Sequence, residues 1–431
     1  MPTSADAASM TKLKNGEIKS RLLHVSQLTV FASALRAALI GPRFARLDSP
    51  LVILMAAAIS YTVFLGKHLS NYGFDLSICV MAGDQFCDPG RVPPNLTVRP
   101  RASGYDGQFY YRLALDPFTS RTIDRGIVLD APAYRQQRIL YPLVAHLLSF
   151  GRAGPVPAVM VLVNLLAVCL IGWLGGAYAQ ALGRHALWAA PLAFHAGFPF
   201  TLVRDTPEIL EICLLLASLL LLRRGRHVAA TVTLALAVLT KETALLAAAG
   251  AGVAFVAERF HGRGPGKVKW YYPLAPLVVF LAWQWWLLRR WERLPLGQGS
   301  ANLAWPMEGF VGLVESTAQT AFHERLLWFT NVPAIPEIGF IIAFTALVAL
   351  SLRASLAERF EKISWVLYLM LAVTLSHYVW VEDWAFMRAL SEFYLFGAII
   401  LLGAGLKLRG PAFAASLALW LYLGLAIARG H

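Results

Sequence analysis

Charge is scarce in this sequence: charged residues make up 15% of the 431, and 25 Asp and Glu face 38 Lys and Arg. With 58% hydrophobic residues and a mean hydropathy of +0.58, so little charge excludes a water-soluble globule of this length. A polytopic membrane protein remains. The excess of bases, a formal +13, is spread over short turns and not gathered into a stripe, which argues against nucleic acid as the partner. His195, His323 and His377 lack metal-ligand spacing and read as structural or interfacial. Cysteine is rarer, with four in all. Cys169 and Cys213 fall in apolar runs, whereas Cys79 and Cys87 share a loop, as a disulfide staple of an oxidising compartment or as free thiols. No internal repeat or long low-complexity tract is present, which excludes solenoid and fibrous architectures.

What the chain does have is apolar length. About eleven runs approach the roughly 17–25 residues needed to cross a bilayer: 49–66, 156–179, 186–203, 208–222, 227–240, 242–257, 270–288, 336–352, 364–380, 385–406 and 411–428. The expected fold is an all-α polytopic membrane protein of about eleven transmembrane helices with a large first loop, 67–155, on the non-cytoplasmic side. Residues 1–48 read as a cytoplasmic segment without a cleavage site, which makes the first span a retained signal anchor, and 49–431 as one transmembrane domain. The basic turns near Arg184, Arg223, Arg259, Arg353 and Lys407 fall on one side when the spans alternate. The opposite side receives the loop, the turns at 204–208, 241–242 and 381–384, and the segment 289–335. Arg289, Arg290 and Arg293 are a basic cluster on that outer face, serving either lipid headgroups or an anionic ligand.

Chemistry concentrates in the loop and in the outer turns. Asp106 precedes Gly107 in the aromatic segment GYDGQFYYRLALDP, and 104–142 is the expected catalytic segment, with 138–150 as an interfacial helix. Asp-Gly is also a common turn pair, and a turn can itself present a base. Asp205 and Glu208 flank Pro207 at the start of an apolar run, as a helix N-terminus or as a second acid near Asp106. Glu211, three residues further on, lies deeper in the membrane and calls for a cation such as Lys241 or Arg204. Arg135 and Arg138 share a helical face beside Tyr134 and Tyr141, suited to lipid headgroups or to phosphate. Arg388 reads as an internal ion pair with Glu392 or as a phosphate ligand, and Trp380 and Trp384 as surfaces on which sugars stack.

Three segments together resemble the GT-C superfamily of integral-membrane glycosyltransferases, most closely the branch of the second GPI mannosyltransferase and its bacterial relatives. They are Tyr105 to Ala114 followed by RILYP at 138–142, Phe198 to Glu208 with the run ending at RRGRH, and LAVLTKETALL at 236–246. In the last, Lys241-Glu242 stands where relatives often have Arg-Pro. The resemblance implies a sugar, mannose-like, moved with inversion from a polyprenyl-phosphate donor to a glycan, lipid or protein acceptor. It implies a bacterial inner membrane with the site facing outward. Such a transfer needs a carboxylate at the acceptor hydroxyl and cations at the leaving phosphate, close to the membrane lipids that hold the donor's tail. Asp106 is then the base and Asp205 its support, with Lys241, Arg138 and Arg388 on the phosphate. Tyr105, Gln108, Arg135, Arg204, Glu208 and Glu242 complete the substrate contacts, and a divalent cation (Mg or Mn) between Asp106 and Asp205 is an open expectation. The alternative is a secondary transporter or lipid flippase, since charges at the ends of Pro-interrupted helices also mark transport sites. A lipid-linked acyl or phosphoglycol transferase would use His323 with Glu324 and Arg325.

Overall fold

The computed structural model describes residues 47–260, 268–323 and 334–429. The chain is 71% helical, and among the described residues six helices are long and apolar enough to cross a membrane: Pro50–Ser70 (α1), Val156–Ala181, Glu242–Phe260, Tyr271–Trp291, Ala334–Ser351 and Leu406–Ala428. The expected count of about eleven is not reached by length, because the remaining apolar runs make shorter helices. His227–Thr240 has 14 residues and Ser391–Gly403 has 13. At 1.5 Å per residue they span about 20 Å, well short of a ~30 Å core. The segment 1–48, apart from its last two residues, lies outside the described residues, as do Glu324 and Arg325.

Three expected spans are broken, and one of them, 364–380, is interrupted at 374–376 between Arg359–Val373 and His377–Trp380. The run 186–203 carries Pro191 and Pro199 and folds as short pieces, Ala190–Ala193 and Gly197–Leu202, since proline removes helical hydrogen bonds. Tertiary contacts fill the gap between them: His195 Nε2 lies 3.1 Å from the Met387 carbonyl, and a Cβ on Gly197 would collide with that same oxygen. The run 385–406 breaks at Leu390 into Asp383–Ala389 and Ser391–Gly403. Arg388 and Glu392 therefore sit on two helices, not one.

In the loop, Gly107–Leu115 (α2), Pro132–Gln136 (α3) and Leu140–Leu148 (α4) are helical, and two two-stranded sheets pin the connections. Ala82–Gly83 (β1) pairs in parallel with Val98–Arg99 (β2), and Ile123–Asp124 (β3) pairs antiparallel with Ile127–Val128 (β4). The loop's core of Val80, Cys87, Tyr110, Tyr111 and Tyr141 packs on Val156 and Met160, at the start of Val156–Ala181 (α5). That seats the loop on the helix bundle. Further along, α5 meets α1 through small residues, where a Cβ on Gly176 would lie 2.7 Å from the Pro50 Cα. The Cys79–Cys87 staple does not form: both thiols are buried and free, Cys79 in the helix-bundle core and Cys87 in the loop core. Cys87 Sγ instead faces Gln108 Oε1 at 3.5 Å.

Candidate active site

Helix α2 starts against the backbone of the 204–208 turn. A Cβ on Gly107 would strike the Arg204 carbonyl oxygen and come within 2.7 Å of the Val80 oxygen, so only glycine lets the helix begin there. Asp106 occupies the capping position of α2, yet its carboxylate makes no capping bond. Oδ1 accepts from Arg135 Nη1 at 2.7 Å, and Oδ2 lies 3.9 Å from Arg388 Nη2. Arg135, at the end of α3, also meets Asp130 Oδ2 at 2.7 Å. Asp106 is 26% exposed. Burial pushes its carboxyl upward, but Arg135, then Arg388 and Arg138, outweigh that and hold it below the usual carboxylate range. It is an anion at neutral pH.

A cavity of about 560 Å³ opens over this pair. Its wall includes Tyr105, Asp106, Gln108, Arg135, Arg204 and Trp384 from the sequence reading, together with Arg99, Asp130 and Glu382. Arg204 lies over the rings of Trp384 (4.8 Å), Tyr105 (5.5 Å) and Phe200 (5.6 Å). Burial pushes the Tyr105 hydroxyl up to about 12, so it stays protonated. It accepts from Arg388 Nη2 at 2.7 Å. Gln108, at the cavity wall, also ties the loop: its Oε1 accepts from the Gly83 amide at 3.1 Å and its Nε2 donates to the Ser103 carbonyl at 2.9 Å.

The remaining predicted residues stand behind this wall as buried pairs. Arg388 Nη1 meets Glu208 Oε1 at 3.1 Å, which replaces the expected pairing with Glu392. Arg138 grips Glu242 with two bonds, 2.8 and 2.6 Å, and donates to Tyr110 and Tyr134. Lys241 Nζ lies 2.8 Å from Glu392 and 3.6 Å from Glu211, which gives Glu211 the cation its depth demands. Thr243 adds its hydroxyl to Glu392. Lys241 and Arg138 are thus already neutralised. Asp205 is fully buried with a left-handed backbone, φ +45°, and neither carboxyl oxygen has a hydrogen-bond partner. Burial pushes its carboxyl well up. Asp106 and Asp205 share no partner.

A divalent ion does not fit Asp106, because both of its oxygens face guanidinium groups. Among the described residues no group of three His, Cys, Asp or Glu is placed to hold one. Trp380 is buried against Phe386 and Phe310, so of the two tryptophans only Trp384 faces the cavity. Sequence reasoning missed Arg99, Asp130 and Glu382. Asp130 carried one signal, an acid five positions before Arg135. No protein-family model matches this chain, and no curated protein matches it.

Proposed function

We propose that this chain is a membrane glycosyltransferase that moves a mannose-like sugar from a polyprenyl-phosphate donor to a glycan, lipid or protein hydroxyl. The observation that carries the reading is Asp106, an anion at the wall of a cavity, paired with Arg135 and facing Arg388, with Arg204 elsewhere on the same wall. The acceptor hydroxyl donates to Asp106 and attacks the anomeric carbon; the bond from that carbon to the phosphate oxygen breaks, and the configuration inverts. The acceptor's proton passes to Asp106, and the lipid phosphate leaves onto the guanidinium groups. Because Asp106 is a weak base in the resting site, the transfer comes late, once the hydroxyl has been acidified by bond formation. A donor phosphate on Arg135 would loosen its hold on Asp106 and raise the carboxylate's basicity as the substrate arrives. Trp384 supplies a stacking face.

In this reading the apolar segments too short to cross by length complete the alternation of spans, the basic turns favour the loop 67–155 on the non-cytoplasmic face, and the resemblance favours a bacterial inner membrane. The test uses purified protein in lipid nanodiscs, a panel of synthetic radiolabelled polyprenyl-phosphate sugars and membrane acceptors. Asp106→Asn should lower transfer by roughly 10²-fold or more with expression unchanged, and wild-type transfer should survive chelator. Full turnover by the variant would remove Asp106 from the chemistry. A second reading, a secondary transporter or flippase, draws on the buried Lys241, Glu211 and Glu392. Flux without product would favour it.

A further inference from the structure

The basic cluster at 289–293 takes no part in the Asp106 cavity, and its surroundings suit a different ligand. Leu274, Val278, Leu281 and Trp285 form one exposed stripe along Tyr271–Trp291, which we label α6, and the next position on that face is Arg289, also exposed. From Val278 to Arg289 the helix rises about 16 Å, close to the ~15 Å of one leaflet. The stripe would lie along an acyl chain, with Arg289 at the height of its phosphate. Arg289 rests over the Trp285 ring at 5.4 Å and Arg290 over Trp286 at 5.5 Å. Among the described residues no carboxylate pairs with Arg289, Arg290 or Arg293.

This end of α6 is also fastened to the loop. Trp283 and Trp286 stack at 4.7 Å, and Phe118 meets both edge-on. Arg290 Nη2 donates to the Phe118 carbonyl at 2.6 Å. The Trp283 and Trp291 indoles donate to the backbone and side-chain oxygens of Gln136, at 3.3 and 2.6 Å, and Gln136 Nε2 donates to Pro117 at 2.8 Å. Gln136 directly follows Arg135. A ligand that fixes the end of α6 therefore fixes the helix that presents a cation to Asp106.

We infer that Arg289 and Arg290, with Trp285 and Trp286, bind the phosphate of an anionic membrane phospholipid, and that occupancy firms α3 through Gln136. Charge complementarity selects an anionic lipid over a zwitterionic one, and the stripe selects a lipid over free phosphate. The inference does not rest on the proposed transfer reaction, and neither readout below uses it.

The experiment takes full-length protein through exchange from phosphatidylglycerol or phosphatidylcholine into detergent and counts retained lipids by native mass spectrometry. Wild type should retain phosphatidylglycerol, and Arg289→Gln/Arg290→Gln should bind it about 30-fold more weakly, at roughly 1 kcal/mol per arginine. Retention of phosphatidylcholine should be equal in both. Arg353→Gln/Arg359→Gln removes two exposed charges elsewhere and should leave retention intact. Equal retention by wild type and the Arg289/Arg290 variant, or equal loss in the control variant, would overturn the site. If the Arg289/Arg290 variant misfolds, hydrogen exchange of wild-type 132–138 in nanodiscs with and without phosphatidylglycerol decides: slowing supports the inference, and no change overturns the coupling.

Discussion

That Asp106 would stand in the first loop was legible in the sequence, but its arginine partners were not, because Arg135 and Arg388 lie 29 and 282 positions downstream (135 − 106 and 388 − 106). Since they depress its folded-state pKa, the stabilisation is complete above the ordinary aspartate range near 3.9 and is lost as pH falls through the lower folded value. Arg135→Gln leaves the burial and removes the strongest opposing charge. The acid limb of the pH profile for transfer should therefore move to higher pH, and an unmoved limb would place Asp106 outside the titrating step. Arg138 and Glu242 invite a second prediction. Glu242→Gln strands a buried guanidinium and should cost about 3 kcal/mol, whereas Arg138→Met/Glu242→Leu should recover much of it; thermal unfolding in detergent measures both. Sequence spacing paired Arg388 with Glu392 on the assumption of one continuous helix, and the break at Leu390 undoes that.

At the scale of elements, α4 was foreseen within the expected interfacial helix 138–150, as were the six long spans, since each rests on a local pattern of apolar spacing and length. The broken segments were not foreseen. Apolar composition is the same whether a run forms one helix or two, and what permits the break is a distant partner such as Met387 opposite His195 and Gly197. Glycine signals of this kind can be tested. Gly107→Ala places a methyl against the Arg204 carbonyl, so α2 must shift away from the 204–208 turn. The expected loss is about 1–3 kcal/mol of stability, with transfer falling further than stability because Asp106 moves with the helix. Melting and turnover measured on the same preparation would check both.

At the scale of the whole molecule, ion pairs fasten one long helix at both of its ends. Glu208–Arg223, which we label α7, is held by Arg388 at its first turn and at its last by Arg223, which bonds Tyr178 and Glu361. Apolar packing, hydrogen bonds and ion pairs, not a disulfide, hold the loop to this frame. Transfer and melting temperature should be unchanged by a thiol reductant, and loss of either would reveal a disulfide. The link between Tyr105 and Arg388 spans 283 positions, which bears on how the protein is made. At 5–20 residues per second, a ribosome takes roughly 15–60 s to deliver the guanidinium after the tyrosine. Throughout that interval the nascent loop holds an incomplete charge set, so the site cannot assemble until synthesis has passed residue 388.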